Sequence, residues 1–143
     1  MSNETRHSTF RGGSLEDCTI QGATLQNALF EGVAMYGADL SNSDLSGSEF
    51  YLVLAFGASF SGSNLRNVRF LGGSYKDTDF TGADLSGAVF SKDNIGGAVD
   101  LCGADFSNAK LDNTDFSSAL FDASTKFPVG FSAEQKGLSR KPS

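Results

Sequence analysis

The sequence predicts an all-β solenoid with a continuous core, and three observations support this prediction. Large apolar residues recur at every fifth position along most of the chain, a period that neither an α-helix nor a single β-strand produces. Small residues usually stand two positions before the large ones, and Gly or Asn is frequent two positions after them. The composition has a matching bias, with 13 Phe, 17 Gly and no Trp in 143 residues, as expected when a repeat reuses a few residue types.

The large residues, which we call centres, form a series of 23 units with one residue inserted after Ile95. Gly and Asn tolerate a positive φ, so their position after each centre predicts a tight turn there. The centres are Phe10, Leu15, Ile20, Leu25, Phe30, Met35, Leu40, Leu45, Phe50, Ala55, Phe60, Leu65, Phe70, Tyr75, Phe80, Leu85, Phe90, Ile95, Leu101, Phe106, Leu111, Phe116 and Phe121.

Three units, 38–42 (ADLSN), 83–87 (ADLSG) and 104–108 (ADFSN), match the motif A(D/N)LXX directly, and residues 8–123 resemble the pentapeptide-repeat family. The resemblance implies a right-handed quadrilateral parallel β-helix of nearly six coils. In this fold each unit forms one side of a square coil, and the centres and small residues point inward. At about 4.8 Å per coil the rod would be about 27 Å long.

At 20 residues per coil, the units fall on four faces. Face one would carry a ladder of stacked Phe rings followed by Leu111, and face two would run from Leu15 to Ile95 and Phe116. Faces three and four would begin at Ile20 and Leu25. The predicted core ladder of face one consists of Phe10, Phe30, Phe50, Phe70 and Phe90.

The two ends and one irregular stretch depart from the repeat. Residues 1–7 are expected to be a disordered tail, and residues 124–143 are expected to be a C-terminal cap that resembles the cap of bacterial family members. The Ser132-x-x-Gln135 spacing predicts a short helix near 132–138, with a loose tail at 139–143. Phe127, Phe131 and Leu138 would cover the last coil. Within 91–100, Asp93 stands where a small inward residue is expected, which predicts a bulge or small loop.

Composition and motifs exclude several classes of function. The net charge of −6 disfavours direct binding to nucleic acid or to an anionic membrane, and no apolar stretch is long enough to cross a bilayer. The single histidine, His7, lies in the expected tail, so the sequence predicts no catalytic set. No Cys/His cluster and no GxxxxGK(S/T) phosphate loop occurs, so no metal site and no cofactor are predicted. Cys18 and Cys102 are expected to be one surface and one buried thiol, both reduced. Without the apolar region of a signal peptide at Met1–Thr9, we expect a cytoplasmic protein.

Acidic side chains are concentrated on two faces of the predicted coil. Outward positions just before the centres of faces three and four would place Asp79 beside Asp100 and Asp84 beside Asp105, about 5 Å apart. Some pentapeptide-repeat proteins, the quinolone-resistance group, resemble B-DNA in width and charge and bind DNA gyrase, so a DNA mimic is the alternative function. The predicted acidic face consists of Asp39, Asp44, Asp79, Asp84, Asp100 and Asp105.

Faces one and two would carry large apolar side chains in outward positions. The run Tyr51–Phe56 is the strongest anomaly, because Ala55 is the only Ala at a centre. Either Leu54 or Phe56 turns inward through a local register shift, or an apolar patch is exposed for a protein partner or a second copy of the chain. The predicted function is therefore a non-enzymatic scaffold for protein–protein interaction. The predicted interface consists of Leu29, Tyr36, Tyr51, Leu52, Leu54, Phe56 and Leu71.

Overall fold

The computed structural model describes residues 8–136 and 138–141, so the expected tail at 1–7 lies outside it. The chain winds as a parallel β-solenoid of about six turns, which confirms the predicted fold class. One sheet lies on face one, in the order β1-β2-β3-β4-β5, and a second lies on face two, in the order β6-β7-β8. The strands are β1 (Thr9–Arg11), β2 (Leu29–Glu31), β3 (Glu49–Tyr51), β4 (Arg69–Leu71), β5 (Val89–Ser91), β6 (Val99–Asp100), β7 (Ala119–Phe121) and β8 (Ser139–Arg140).

The core is a narrow column of inward side chains. On face one, the Phe10 and Phe30 rings stack with centroids 4.8 Å apart, and this stacking continues through Phe50 and Phe70 to Phe90. Phe30, Phe50, Phe70 and Phe90 are fully buried. A centroid separation near the coil spacing lets the rings stack while the backbone ladder keeps its hydrogen bonds. A column of stacked aromatic rings therefore runs along the inside of face one.

Polar residues at the small inward positions bond to the backbone of neighbouring coils. The Ser63 hydroxyl donates to the Leu40 carbonyl oxygen at 2.7 Å and accepts the Ser43 N–H at 3.1 Å. The Ser48 hydroxyl repeats this arrangement with Leu25 and Ala28. Because a buried hydroxyl is tolerated only when it is hydrogen-bonded, these contacts explain why Ser can replace Ala in the core.

The irregular stretch is a larger insertion than the sequence predicts. Leu54 pairs with Ser74, twenty residues on, whereas Ser74 pairs with Asp100, so this coil contains six extra residues instead of one. Ile95 is therefore a loop residue with 86 % exposure, and its assignment to the core was wrong. Asp93 explains the difference: its carboxylate accepts the N–H groups of Ile95 and Gly97, both at 2.9 Å. Pointing inward, it would have been an unpaired buried charge.

This shift moves every later unit by one side of the coil. Phe116 therefore follows Phe90 on face one, Leu101 and Phe121 follow Tyr75 on face two, and Phe127 stacks on Phe106 of face three at 5.7 Å. The predicted positions of Leu111 on face one and of Phe116 on face two were wrong for the same reason. The coil also continues to Phe127, beyond the boundary expected at residue 123.

The C-terminal cap is a strand rather than a helix. Glu134–Lys136 forms a single 3-10 turn, and β8 then pairs in parallel with β7. The predicted helix near 132–138 was wrong because so short a helix is marginal by itself, and the segment gains more by returning to the solenoid. Leu138 is buried, Lys141 donates an N–H to the Phe121 carbonyl oxygen, and the Arg140 guanidinium lies 4.9 Å from the Phe121 ring centroid. Residues 139–141 are thus part of the cap and not of a loose tail, and residues 142 and 143 of the expected tail lie outside the described residues.

Candidate interaction surface

Large apolar side chains are exposed on the outer surface of face two. Tyr36 is 37 % exposed, Leu54 is 41 % exposed and Phe56 is 49 % exposed. Leu54 pairs with Ala34 in the preceding coil and with Ser74 in the following one, so these side chains belong to successive coils. Leu52 lies at the adjoining corner of coil three and is 37 % exposed. We call Tyr36, Leu52, Leu54 and Phe56 the apolar patch.

The backbone under the apolar patch keeps the regular register of the solenoid. Val53 and Ala55 are fully buried. The Leu54 N–H donates to the Val33 carbonyl oxygen, and the Ala55 N–H donates to the Ser74 carbonyl oxygen. The local register shift left open by the sequence therefore does not occur. Ala55 lies directly below Tyr75 in the same inward column, and its small side chain leaves room for the buried Tyr75 ring. The repeat displays Leu54 and Phe56 outward.

Leu52 occupies a backbone conformation that disfavours its side chain. Its φ is 52°, and the equivalent corner positions of three other coils, Gly12, Gly32 and Gly72, have φ between 63° and 64°. A left-handed conformation costs a residue with a Cβ roughly 1–2 kcal/mol. The chain thus carries an exposed apolar side chain at a corner where glycine would fit without strain. Exposed side chains held in strained conformations are typical of functional sites.

The 92–97 loop adds a second element beside the apolar patch. Asn94 accepts a hydrogen bond from the Tyr51 hydroxyl, which ties the loop to coil three. The Asp93 side chain lies close to Gly72 and Gly97, where an added Cβ would clash with it. The loop therefore rests on the corner between faces one and two and exposes Ile95. The five-residue period did not predict Ile95 as a surface residue, although Asp93 at an inward position was the available signal.

The remaining residues of the predicted interface lie partly outside the apolar patch. Tyr51 and Leu71 pair across neighbouring coils and are half-buried beside the corner at Leu52. Leu29 is half-buried on face one, where Glu49 follows it in the same column. Face one also carries the ion pairs Arg11–Glu31 at 2.7 Å and Arg69–Glu49 at 3.1 Å. The exposed apolar surface is consequently centred on face two.

The acidic side chains lie in two outward columns, and their order differs from the prediction. Asp79 lies beside Asp105, because the six-residue insertion moves Asp100 to face two. The expected neighbours Asp79/Asp100 and Asp84/Asp105 were therefore wrong. The column on face three contains Asp39, Ser59, Asp79, Asp105 and Lys126, and the column on face four contains Asp44, Asn64, Asp84 and Lys110.

Each of these aspartates also holds the turn that follows it. The Asp79 carboxylate accepts the Thr81 N–H at 2.8 Å, and the Asp105 carboxylate accepts the Ser107 N–H at 2.9 Å. Hydrogen bonds from the Ser41 side chain and backbone lower the pKa of Asp39. Partial burial raises the pKa of Asp84, but hydrogen bonds from Ser86 and Arg66 outweigh it and lower the pKa below the ordinary value. The carboxylates of Asp39 and Asp84 therefore stay charged at neutral pH.

Within 8–136 and 138–141, His, Cys, Asp and Glu side chains form no group able to hold a metal ion. Cys18 is half-buried, and Cys102 is buried under the C-terminal cap. Burial, together with Asp100 and Asp122, raises the pKa of Cys102 to about 12, so its thiol stays protonated and unreactive. None of the helical segments in the described ranges could cross a membrane.

Comparison with known proteins identifies the repeat. The model of the family described as pentapeptide repeats matches residues 14–50, 35–72 and 98–124, with eight copies. No curated protein matches the chain. Among solved structures, the pentapeptide repeat protein Rfr23 from the cyanobacterium Cyanothece 51142 is 19 % identical, with 80 % of this chain and 90 % of that chain covered and a TM-score of 0.47.

Two further structures have lower TM-scores. A pentapeptide repeat protein from the Arabidopsis thaliana thylakoid lumen is 23 % identical, covers 81 % of this chain and 73 % of that chain, and has a TM-score of 0.44. QnrB1, a plasmid-mediated fluoroquinolone resistance protein, is 12 % identical, covers 94 % of this chain and 90 % of that chain, and has a TM-score of 0.32. The repeat match spans more than half of the chain, and the chain therefore belongs to the pentapeptide-repeat family.

Proposed function

We propose that the protein is a non-enzymatic scaffold that binds another protein, or a second copy of itself, through the apolar patch. The observation that carries the proposal is the joint exposure of the apolar patch, with Tyr36, Leu54 and Phe56 on face two and Leu52 at the adjoining corner. A cluster of exposed apolar side chains marks a site of protein–protein interaction, and Tyr is enriched among the residues that contribute most of the binding energy. The backbone under the apolar patch is hydrogen-bonded to the coils on both sides, so little conformational entropy is lost when a partner docks.

The strain at Leu52 gives the proposal a second line of support. A residue that costs stability and gains little burial in the free protein is readily explained if its side chain becomes buried in a complex. Ile95 stands on the 92–97 loop beside the same corner and is 86 % exposed. The partner would therefore contact both the flat outer surface of face two and the tip of this loop.

Sedimentation velocity over a range of concentrations tests self-association. We expect the Leu54→Ser/Phe56→Ser variant to be monomeric at concentrations where the wild-type chain forms a dimer. Thr24→Ser is the control, because Thr24 is exposed on face four of the N-terminal coils, away from the apolar patch. A photo-crosslinking amino acid at position 56, with the same group at position 24 as control, tests a different protein partner. Monomeric wild-type protein together with equal crosslinking at the two positions would refute the proposal.

The acidic columns support a second candidate function, a DNA mimic that binds DNA gyrase. Asp79 and Asp105 are neighbours on face three, and Asp39 and Asp44 extend the negative surface toward the N-terminal coils. Lys110 and Lys126 end the two columns, so the negative charge covers only part of the rod. We expect Asp79→Asn/Asp105→Asn to abolish any effect on gyrase supercoiling. Asp115→Asn is the control, since Asp115 holds a similar turn on face one. Supercoiling that is insensitive to the wild-type protein would exclude this candidate.

A further inference from the structure

The solenoid has an incomplete coil at its C-terminal end. Sides one, two and three of the last coil are present, and their backbone bonds run from Phe90 to Asp115, from Leu101 to Leu120 and from Phe106 to Lys126. The next side would lie on face four, above Leu111. The chain instead turns away at Pro128, where the Phe131 N–H bonds to the Pro128 carbonyl oxygen at 3.1 Å. Because proline has no N–H, it is poorly suited to continue the ladder.

The backbone edge beneath this missing side is unused in the described part of the chain. In the coil below, the Leu85 N–H donates to Lys110, the Gly87 N–H donates to Asp112, and the Lys110 N–H donates to Ala83, each at 2.9 Å. The equivalent groups one coil further are the N–H groups of Leu111 and Asn113 and the carbonyl oxygen of Ala109. None of these three has a backbone partner among residues 8–136 and 138–141. They form a short open strand edge with two donors and one acceptor.

A recess lies on this edge, where Ala109, Leu111 and Asp112 contribute to its lining. Its volume is about 270 Å³, which is below the range of typical cofactor pockets, about 300–1,000 Å³. Leu111 and Phe131 contribute apolar surface to the recess, and both are half-buried. We call this recess the face-four gap. It is lined by Ala109, Leu111, Asp112, Pro128, Val129, Gly130, Phe131 and Lys136.

The charges around the face-four gap select the chemistry of an occupant. On face four, Lys110 pairs with Asp84 of the coil below, so its other side adjoins the gap. Lys136 lines the gap and is exposed. A residue that extended the outward column above Lys110 would therefore meet two ammonium groups. Asp112 also lines the gap, and it disfavours an acidic residue at the position two places further along the bound segment.

We propose that the face-four gap binds an extended peptide segment of a partner protein by adding it as the missing side of the coil. The segment would carry an acidic residue immediately before a Leu. Its acidic residue would donate its N–H to Ala109 and accept the Leu111 N–H, while the Leu side chain would lie over Leu111. This is β-augmentation: backbone bonds hold the segment, and the inward and outward side chains select it. The proposal goes beyond the apolar patch and uses a different end of the molecule.

The probe for this site comes from the chain itself. Residues 82–88, GADLSGA, form the face-four side below the edge and already have the required pattern. An acetylated and amidated peptide of this sequence is titrated into the full chain labelled with ¹⁵N. We expect the largest NMR chemical-shift changes at the Leu111 and Asn113 amides. Hydrogen exchange of both amides should become slower when the peptide is present. A peptide N-methylated at the Asp, which lacks the donor to Ala109, should bind at least tenfold more weakly.

Reversing the charge of the two lysines tests whether they select the acidic residue of the peptide, and it leaves the core unchanged. Lys110 and Lys136 are exposed, so Lys110→Glu/Lys136→Glu should fold normally, as circular dichroism can verify. We expect the variant to bind the GADLSGA peptide about two- to fivefold more weakly for each lost ion pair. It should bind a peptide in which Lys replaces the Asp more tightly than the wild-type chain does. Equal binding of both peptides by both proteins would overturn the proposal.

Two further outcomes would also overturn it. One is an absence of shift changes at Leu111 and Asn113 at millimolar peptide. The other is exchange of these amides in the free protein that is as slow as that of Leu85, because the edge would then be filled already. Leu54→Ser/Phe56→Ser should leave peptide binding unchanged. Failure at the gap is thereby distinguished from failure of the proposed function.

Discussion

Phe90 and Phe116 are stacked neighbours on face one, with ring centroids 5.1 Å apart and planes inclined by 10°. The same relation joins Phe70 and Phe90, which are separated by one regular coil. The six extra residues between Phe90 and Leu101 therefore leave the inward column unbroken. The inserted residues form a loop at a corner of the coil. At this position the loop projects into solvent and causes no steric conflict.

This relationship predicts that the loop can be removed. We expect deletion of residues 92–97, combined with Ala98→Gly, to retain the solenoid, because Ser91 and Val99 would then be joined by a regular corner that favours a positive φ. The melting temperature should change by only a few degrees, since loop length contributes little to stability. Circular dichroism and thermal melting provide the measurement. Deletion of 99–103, which removes β6 and the centre Leu101, is the control and should prevent folding. Equal loss of structure in both variants would contradict the assigned register.

Tyr75 carries the clearest unpaired polar group in the core. Its ring is fully buried, and its hydroxyl has no hydrogen-bond partner within the described ranges. Burial raises the pKa of Tyr75 well above its ordinary value, so the hydroxyl stays neutral. Removing an unsatisfied buried hydroxyl relieves its desolvation cost. We expect Tyr75→Phe to raise the free energy of unfolding in urea by about 1 kcal/mol. Tyr36→Phe, on the exposed surface, should change it by less than about 0.5 kcal/mol. A destabilised Tyr75→Phe variant would show that the hydroxyl has a partner.

The strained conformation of Leu52 predicts that replacing this residue with Gly increases stability and weakens partner binding. We expect Leu52→Gly to stabilise the chain by about 1 kcal/mol in urea unfolding, because glycine adopts the φ of 52° without a Cβ conflict. If the apolar patch binds a protein, the same variant should bind it more weakly. Leu54→Gly is the matched control: it removes an equal side chain nearby without relieving a positive φ, and it should lower stability. An equal loss of stability in both variants would mean that Leu52 is not strained.

The outward aspartates predict loss of stability in acid. The pKa values of Asp39, Asp84 and Asp105 are lowered in the folded state, and a group with a lowered pKa stabilises the fold above its unfolded pKa. The unfolded value is 3.8, so this contribution is complete above about pH 5 and is lost as the pH falls through the folded-state values below 3.8. Melting temperatures between pH 6 and pH 2 measure the effect. Asp84→Asn should flatten the curve below pH 4, and an unchanged slope would refute the assignment.

Much of the fold follows from local pattern. The five-residue period places Phe30, Phe50 and Phe70 in one inward column, and Gly or Asn after each centre supplies the corners. These are short-range preferences that each unit satisfies in the same way. Leu54 and Phe56 could also be assigned to outward positions from the period, since their neighbour Ala55 occupies the inward one. The register around Ala55 depends on a contact between coils, because Tyr75 must fill the space above the small Ala55 side chain.

The parts that the pattern predicted wrongly depend on alignment between coils. Ile95 stands at the expected spacing after Phe90, and only the pairing of Ser74 with Asp100 shows that the chain leaves the coil there. The acidic columns changed for the same reason, because an insertion changes the neighbours of every later residue. The C-terminal segment likewise has a helix-like sequence, but pairing of β8 with β7 and burial of Leu138 outweigh its weak helical preference.

The sequence by itself determined the repeating unit, the inward column and the family, because one five-residue preference is restated in nearly every coil. The tertiary structure alone decided which coil lies beside which after Phe90, where Asp100 and Ile95 are placed, and where the last coil is left open at Leu111. These features depend on hydrogen bonds between residues twenty or more positions apart. These hydrogen bonds form only when neighbouring coils are in contact, so the five-residue pattern does not determine them.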